Sequence, residues 1–141
     1  MNATQRASGA RPQPLIAVRD VRASSRWFAE LLGLGALPDH AHRDRYDRLY
    51  SGDALILQLH AWDAEQHPNL MNAEECRAGH GVLVWFEVDD FDAAVARARG
   101  LRAAVIEEPH VNPAPRHREM WLRDPNGYVV VICSPDGEAG A

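Results

Sequence analysis

Two side chains stand out as able to do chemistry: His60 and Glu119. His60 follows Gln58 by two residues in the apolar run 54–61. In an extended strand that spacing places both on one face, roughly 6.6 Å apart. An imidazole there can be a general base, a ligand contact or a hydrogen-bonded histidine, and the residues alone leave all three open. Glu119 precedes Trp121 by two. A carboxyl group beside an indole in an apolar groove is expected to have a raised pKa and to serve as acid or base; the alternatives are pairing with Arg118 of a neighbouring chain or solvation. His60 and Glu119 are therefore the catalytic candidates. Asp63, His67, His80, His110 and His117 read as scattered surface positions, with a displaced metal site among His60, Asp63 and His67 as the alternative. There is no activated-nucleophile pattern, phosphate-cradling loop or dinucleotide fingerprint.

These groups need a scaffold, and composition bounds it. The chain has 141 residues, 46% hydrophobic and 25% charged, which suits one domain or two small fused modules. A net charge of −5 argues against nucleic acid as a partner. Two cysteines, Cys76 and Cys133, form no disulfide framework, so a reducing, cytoplasmic location is expected. No apolar run approaches the ~18 residues of a membrane span. The polar segment 1–11 is expected to be a disordered leader and 136–141 a tail.

Alternating apolar residues predict strands over 13–18, near 46–50, and over 54–61, 82–88, 103–107, 119–123 and 128–133. Trp27, Phe28, Leu31 and Leu32 form a helical stripe after the cap residue Asp20; Phe91, Ala94, Val95 and Ala98 form another after Asp90. The proline-rich stretch 110–117 is expected to be a loop, and 124–127 a turn. Val18–Val21 and Val88–Phe91 match at an offset of 88 − 18 = 70, each a strand feeding a helix through aspartate. The domain therefore spans 12–135: module one at about 12–62, a linker at 63–80 and module two at about 81–135.

The segments 17–33 (AVRDVRASSRWFAELLG), 87–95 (EVDDFDAAV) and 122–128 (LRDPNGY), in this order and spacing, resemble the glyoxalase/bleomycin-resistance/extradiol dioxygenase, or vicinal oxygen chelate, superfamily. The resemblance is nearest its metal-free bleomycin-resistance-like branch. It implies an α+β fold of two βαβββ modules, whose mixed sheets curve into a groove with helices outside. Superfamilies of this breadth share fold rather than chemistry, so the site decides function.

Strand alternation sorts the faces. Val82, Val84, Phe86 and Val88 are expected to pack under the helices, with Leu57, Leu59, Met120, Leu122, Val130 and Ile132. The opposite face would bind ligand through Gln13, Leu15, Ile56, Gln58, His60, Leu83, Trp85, Trp121 and Val131, a lining suited to an organic molecule. The tryptophans could instead form a second hydrophobic layer or a subunit interface. The positions at which metal-dependent members carry ligands correspond to Gln13, Gln58, Leu83 and Val131. Two amides and two hydrocarbon side chains do not hold a divalent ion. The expectation is thus no metal and no cofactor, with a divalent metal as the alternative. The resemblance further implies a homodimer that sequesters an antibiotic-like or aromatic compound; the alternative is a lyase, isomerase or dioxygenase, metal-dependent or using His60 and Glu119.

Overall fold

In the computed structural model, residues 11–40, 42–62, 67–71, 73–74 and 79–140 are described. The order is β1 (Leu15–Val18), α1 (Val21–Leu32), β2 (Tyr46–Ser51), β3 (Ala54–Ala61), β4 (Leu83–Glu87), α2 (Phe91–Gly100), β5 (Ala104–Asn112), β6 (His117–Arg123) and β7 (Val129–Cys133). Two mixed sheets result, ordered β1-β3-β2 and β4-β7-β6-β5. In each, the strand before the helix runs parallel to the last strand of the module, and the remaining pairs are antiparallel. This is the expected α+β architecture. The second module is a complete βαβββ unit, whereas the first has three strands among the described residues.

Asp20 and Asp90 cap the helices, each accepting a 3.0 Å bond from the backbone N–H three residues on. Gly33 ends α1 in the left-handed conformation at φ 68°. Asp92 in the first turn of α2, and Arg97 and Arg99 in its last, oppose the helix dipole. The helices and one face of each sheet share a single core, in which Phe28, Leu31, Leu57, Leu59, Met120 and Leu122 have no exposed surface. Each such side chain contributes roughly 1.5–3 kcal/mol by leaving water.

Two expectations are corrected. Val82 is not in the core; it precedes β4 and is 51% exposed. The stretch beginning at His110 is not all loop, since β5 runs to Asn112 through Pro109 and His110. Proline is tolerated because β5 is an edge strand, where a missing N–H breaks no ladder. Bulges interrupt the β5–β6 register on both sides of Glu107, which blurs the alternation. The tail is also tied down: Gly137 and Ala139 donate to the carbonyls of Pro115 and Arg116, and Glu138 pairs with Arg118. Most of leader 1–11, together with Asp63 and Cys76, lies outside the described residues.

Polar clamps join the modules. The Tyr128 hydroxyl donates to the Ala17 carbonyl at 2.8 Å, Arg97 Nε to the Leu31 carbonyl at 2.9 Å, and the Arg19 N–H to Asn126 Oδ1 at 3.0 Å. Gly79, at φ 72°, lies against the Tyr128 ring so closely that a Cβ would overlap it. Gly79→Ala should cost about 2 kcal/mol in urea unfolding, from backbone strain plus overpacking. Gly52→Ala, at φ 60° with open space around it, isolates the strain. Equal losses in the two variants would mean that the ring contact is not felt.

Candidate functional site

Register fixes which side chains share a face. On the second sheet, Trp85, Val131 and Trp121 lie in one cross-strand row, and Glu87, Cys133, Glu119 and His110 in the next. The two indoles meet edge to face at 6.4 Å. Val131 between them is fully buried, so it forms the floor beneath the rings and not an open wall. Trp85 Nε1 donates to Cys133 Sγ at 3.0 Å, and burial pushes that thiol's pKa up.

Glu119 is the hub of this face. Its Oε1 accepts from His110 Nε2 at 3.2 Å and Trp121 Nε1 at 3.1 Å. Its Oε2 accepts from His117 Nε2 at 2.7 Å and Asn112 Nδ2 at 3.5 Å. Burial alone would push the carboxyl up, as the sequence suggested. The hydrogen bonds from His117, Trp121, Asn112 and His110 outweigh it and hold the pKa below the usual range. Glu119 is thus an anion with its lone pairs occupied, and not a protonated acid in a dry pocket. His110 Nδ1 donates to the Glu108 carbonyl at 2.9 Å, so Nε2 can donate to Glu119 only in the imidazolium form. That backbone bond, more than offsetting desolvation together with Glu119 and Glu107, raises the His110 pKa. Sequence reasoning missed His110, His117 and Asn112 as functional neighbours. His117 and Glu119 stand two apart on one strand, the same signal that singled out Gln58 and His60.

The first sheet presents a different set. Leu15 and Ala17 of β1 sit beside Gln58 and His60 of β3, which face Arg48 and Tyr46 of β2. Tyr46 donates a short hydrogen bond to Gln58 Oε1, and Gln58 Nε2 donates to the Gln13 carbonyl at 2.9 Å. His60 Nδ1 donates to the Ala61 carbonyl at 2.9 Å, and its ring meets His67 edge on at 5.1 Å. His60 and Glu119 therefore lie on different sheets, each with its own partners.

Between the open edges of β1 and β4 runs a cleft of about 970 Å³. Of the expected ligand-binding residues it brings together Leu15, Ile56, Leu83 and Trp85. Gln13, Gln58, His60, Trp121 and Val131 lie outside its lining. Leu15, Leu83 and Trp85 are 40%, 44% and 42% exposed, an apolar wall left uncovered among the described residues.

The superfamily's metal positions do not suit a metal. Leu83 and Val131 carry only hydrocarbon, and both polar atoms of the Gln58 amide are engaged by Tyr46 and Gln13. Among the described residues no group of three or more His, Cys, Asp or Glu side chains is arranged to hold an ion.

Two mixed sheets, each with a helix inserted after its first strand, and an apolar cleft between β1 and β4 define an α+β scaffold of the paired-module type. The sequence profile of the Glyoxalase/Bleomycin resistance protein/Dioxygenase superfamily matches residues 11–132, and the chain belongs to that superfamily. Its fold resembles a glyoxalase/bleomycin resistance protein/dioxygenase family enzyme from Burkholderia phytofirmans PsJN (TM-score 0.67, 21% identity, covering 86% of this chain and 95% of that one). It also resembles TioX from Micromonospora sp. ML1 (0.64, 16%, 89% and 95%) and a lactoylglutathione lyase from Agrobacterium tumefaciens (0.62, 19%, 92% and 96%). No curated protein matches the chain. No helix among the described residues is long and apolar enough to cross a membrane.

Proposed function

We propose that this chain binds a small organic ligand, antibiotic-like or an aromatic metabolite, and sequesters it without metal or cofactor in the cytoplasm. The observation that carries this reading is the uncovered apolar wall of Leu15, Leu83 and Trp85, with Trp121 set edge to face against Trp85. An exposed indole and aliphatic side chains grouped along one cleft are a usual lining of an organic-ligand site. The donor chemistry at Gln58, Leu83 and Val131 supports the metal-free form. A homodimer, with the groove closed between subunits, gives the exposed wall its cover.

The polar cluster around Glu119 favours a second reading, an enzyme of the lyase, isomerase or dioxygenase type using acid–base chemistry. In that reading a histidine of the second sheet moves the proton and Glu119 holds it in place, with no part for His60 beside Glu119.

The test is a screen of aromatic ligands by tryptophan fluorescence, alongside native mass and metal content of unchelated protein. Dimeric, metal-free protein whose emission shifts on ligand addition is the expected result. A monomer without response, or one equivalent of transition metal, overturns the sequestration reading.

A further inference from the structure

The face of the first sheet is chemically unlike that of the second. The side chains of Leu15, Ala17, Gln58, His60, Tyr46 and Arg48 share it by register, and none is acidic. Arg48 Nε donates to the Tyr46 hydroxyl at 2.7 Å, and its guanidinium carbon lies 5.5 Å from the Tyr46 ring centroid. Arg48 has no carboxylate partner among the described residues; several other arginines also lack one, but Arg48 alone of them is held by another side chain, whereas Arg97 and Arg123 donate to backbone carbonyls. Fixed by a side-chain relay on a strand face that carries no carboxylate, the Arg48 charge is positioned to meet an anionic group of a ligand.

The hydrogen bonds also fix direction. Tyr46 gives its proton to Gln58 and so must accept from Arg48; Gln58 in turn is anchored on the Gln13 carbonyl. The relay anchors the guanidinium at its Nε edge and leaves Nη donors for a ligand. A planar fork in an acid-free setting matches a carboxylate held by two parallel bonds.

We propose that this face is an anion subsite, in which Arg48, oriented by Tyr46 and Gln58, binds the carboxylate of an aromatic acid. The inference rests on the reading of the chain as a binder of a small organic ligand, and it names the ligand's polar end; the subsite lies on the face of the first sheet, outside the lining of the β1–β4 cleft. Arg48 and Tyr46 are then specificity determinants that strand alternation on β3 alone could not reveal.

The experiment compares 1-naphthoate with its neutral analogue 1-naphthamide, by fluorescence titration and by the Arg48 Nε–H resonance. Wild-type protein should favour naphthoate about 10-fold or more, the usual value of a hydrogen bond to a charged group, and the Nε–H resonance should move. Arg48→Gln should bring naphthoate binding down to the level of naphthamide; Arg48→Lys should restore only part of the preference. Equal binding of both probes to wild type, or a preference that survives in Arg48→Gln, overturns the anion subsite and leaves the ligand-binding reading standing. Binding of neither probe overturns both. Tighter binding of 1-naphthyl phosphate than of naphthoate overturns the carboxylate assignment in favour of a phosphate-bearing ligand.

Discussion

Glu119→Ala is expected to destabilise the protein by about 3–5 kcal/mol, the range seen when one partner of a buried, hydrogen-bonded charge cluster is removed. The Glu119 side chain is only 5% exposed and that of His117 6%. Four donors converge on the carboxylate, from His110, Asn112, His117 and Trp121. Alanine leaves the His117 and Trp121 N–H groups without their acceptor in a site that water scarcely reaches. Urea unfolding at neutral pH measures the loss, and an unchanged slope would show that the variant unfolds in the same two-state manner. Glu119→Gln should lose less, because its amide oxygen still accepts from one side while its NH2 opposes the donors on the other.

The same cluster sets the sign of the pH dependence. Glu119 has a lowered folded pKa, so its contribution is present above the unfolded carboxyl pKa and is lost as pH falls through the folded value. His110 has a raised folded pKa, so its contribution is complete below the unfolded histidine pKa and is lost as pH rises through the folded value. Both act together only between about pH 4.3 and 6.5, the ordinary glutamate and histidine values. Urea midpoints across pH should therefore fall on both flanks. The acid flank should flatten in Glu119→Ala; an unaltered acid flank would mean that another carboxyl governs it.

Much of this architecture is legible in the sequence because its signals are local. Asp20 and Asp90 cap, Gly33 stops a helix, and Met120, Leu122, Val130 and Ile132 alternate cleanly into the core. The site is legible only in part. Alternation places Trp85, Val131 and Trp121 on one face, but it does not say that the rings close over Val131. It also assigns Glu119 an apolar setting, because the four donors come from β5 and β6 around a hairpin that Pro113 and Pro115 disguise as loop. Bulges at Glu107 break the period by which His110 would have been found. His60 and Glu119 looked like one acid–base pair because a linear reading does not tell which sheet each face belongs to.

Trp121→Ala should weaken binding of an aromatic ligand roughly 100-fold, as expected for truncating a central aromatic anchor. Trp121 stands in the row with Val131 and Trp85, packs edge to face on Trp85, and spends its N–H on Glu119. Its ring is therefore fixed before any ligand arrives, and little side-chain freedom is lost on binding. Alanine removes stacking area, uncovers Val131 and releases the Trp85 ring. Trp121→Phe separates these roles, since it keeps an aromatic face on Val131 and loses the bond to Glu119. If Phe binds nearly as well as Trp, stacking carries the affinity and the bond to Glu119 is structural. If Phe binds as poorly as Ala, the indole acts by fixing Glu119 and its histidines, which moves the weight of the site to the acid–base cluster. Unchanged affinity in Trp121→Ala would place the ligand in the β1–β4 cleft alone, against Leu15, Leu83 and Trp85.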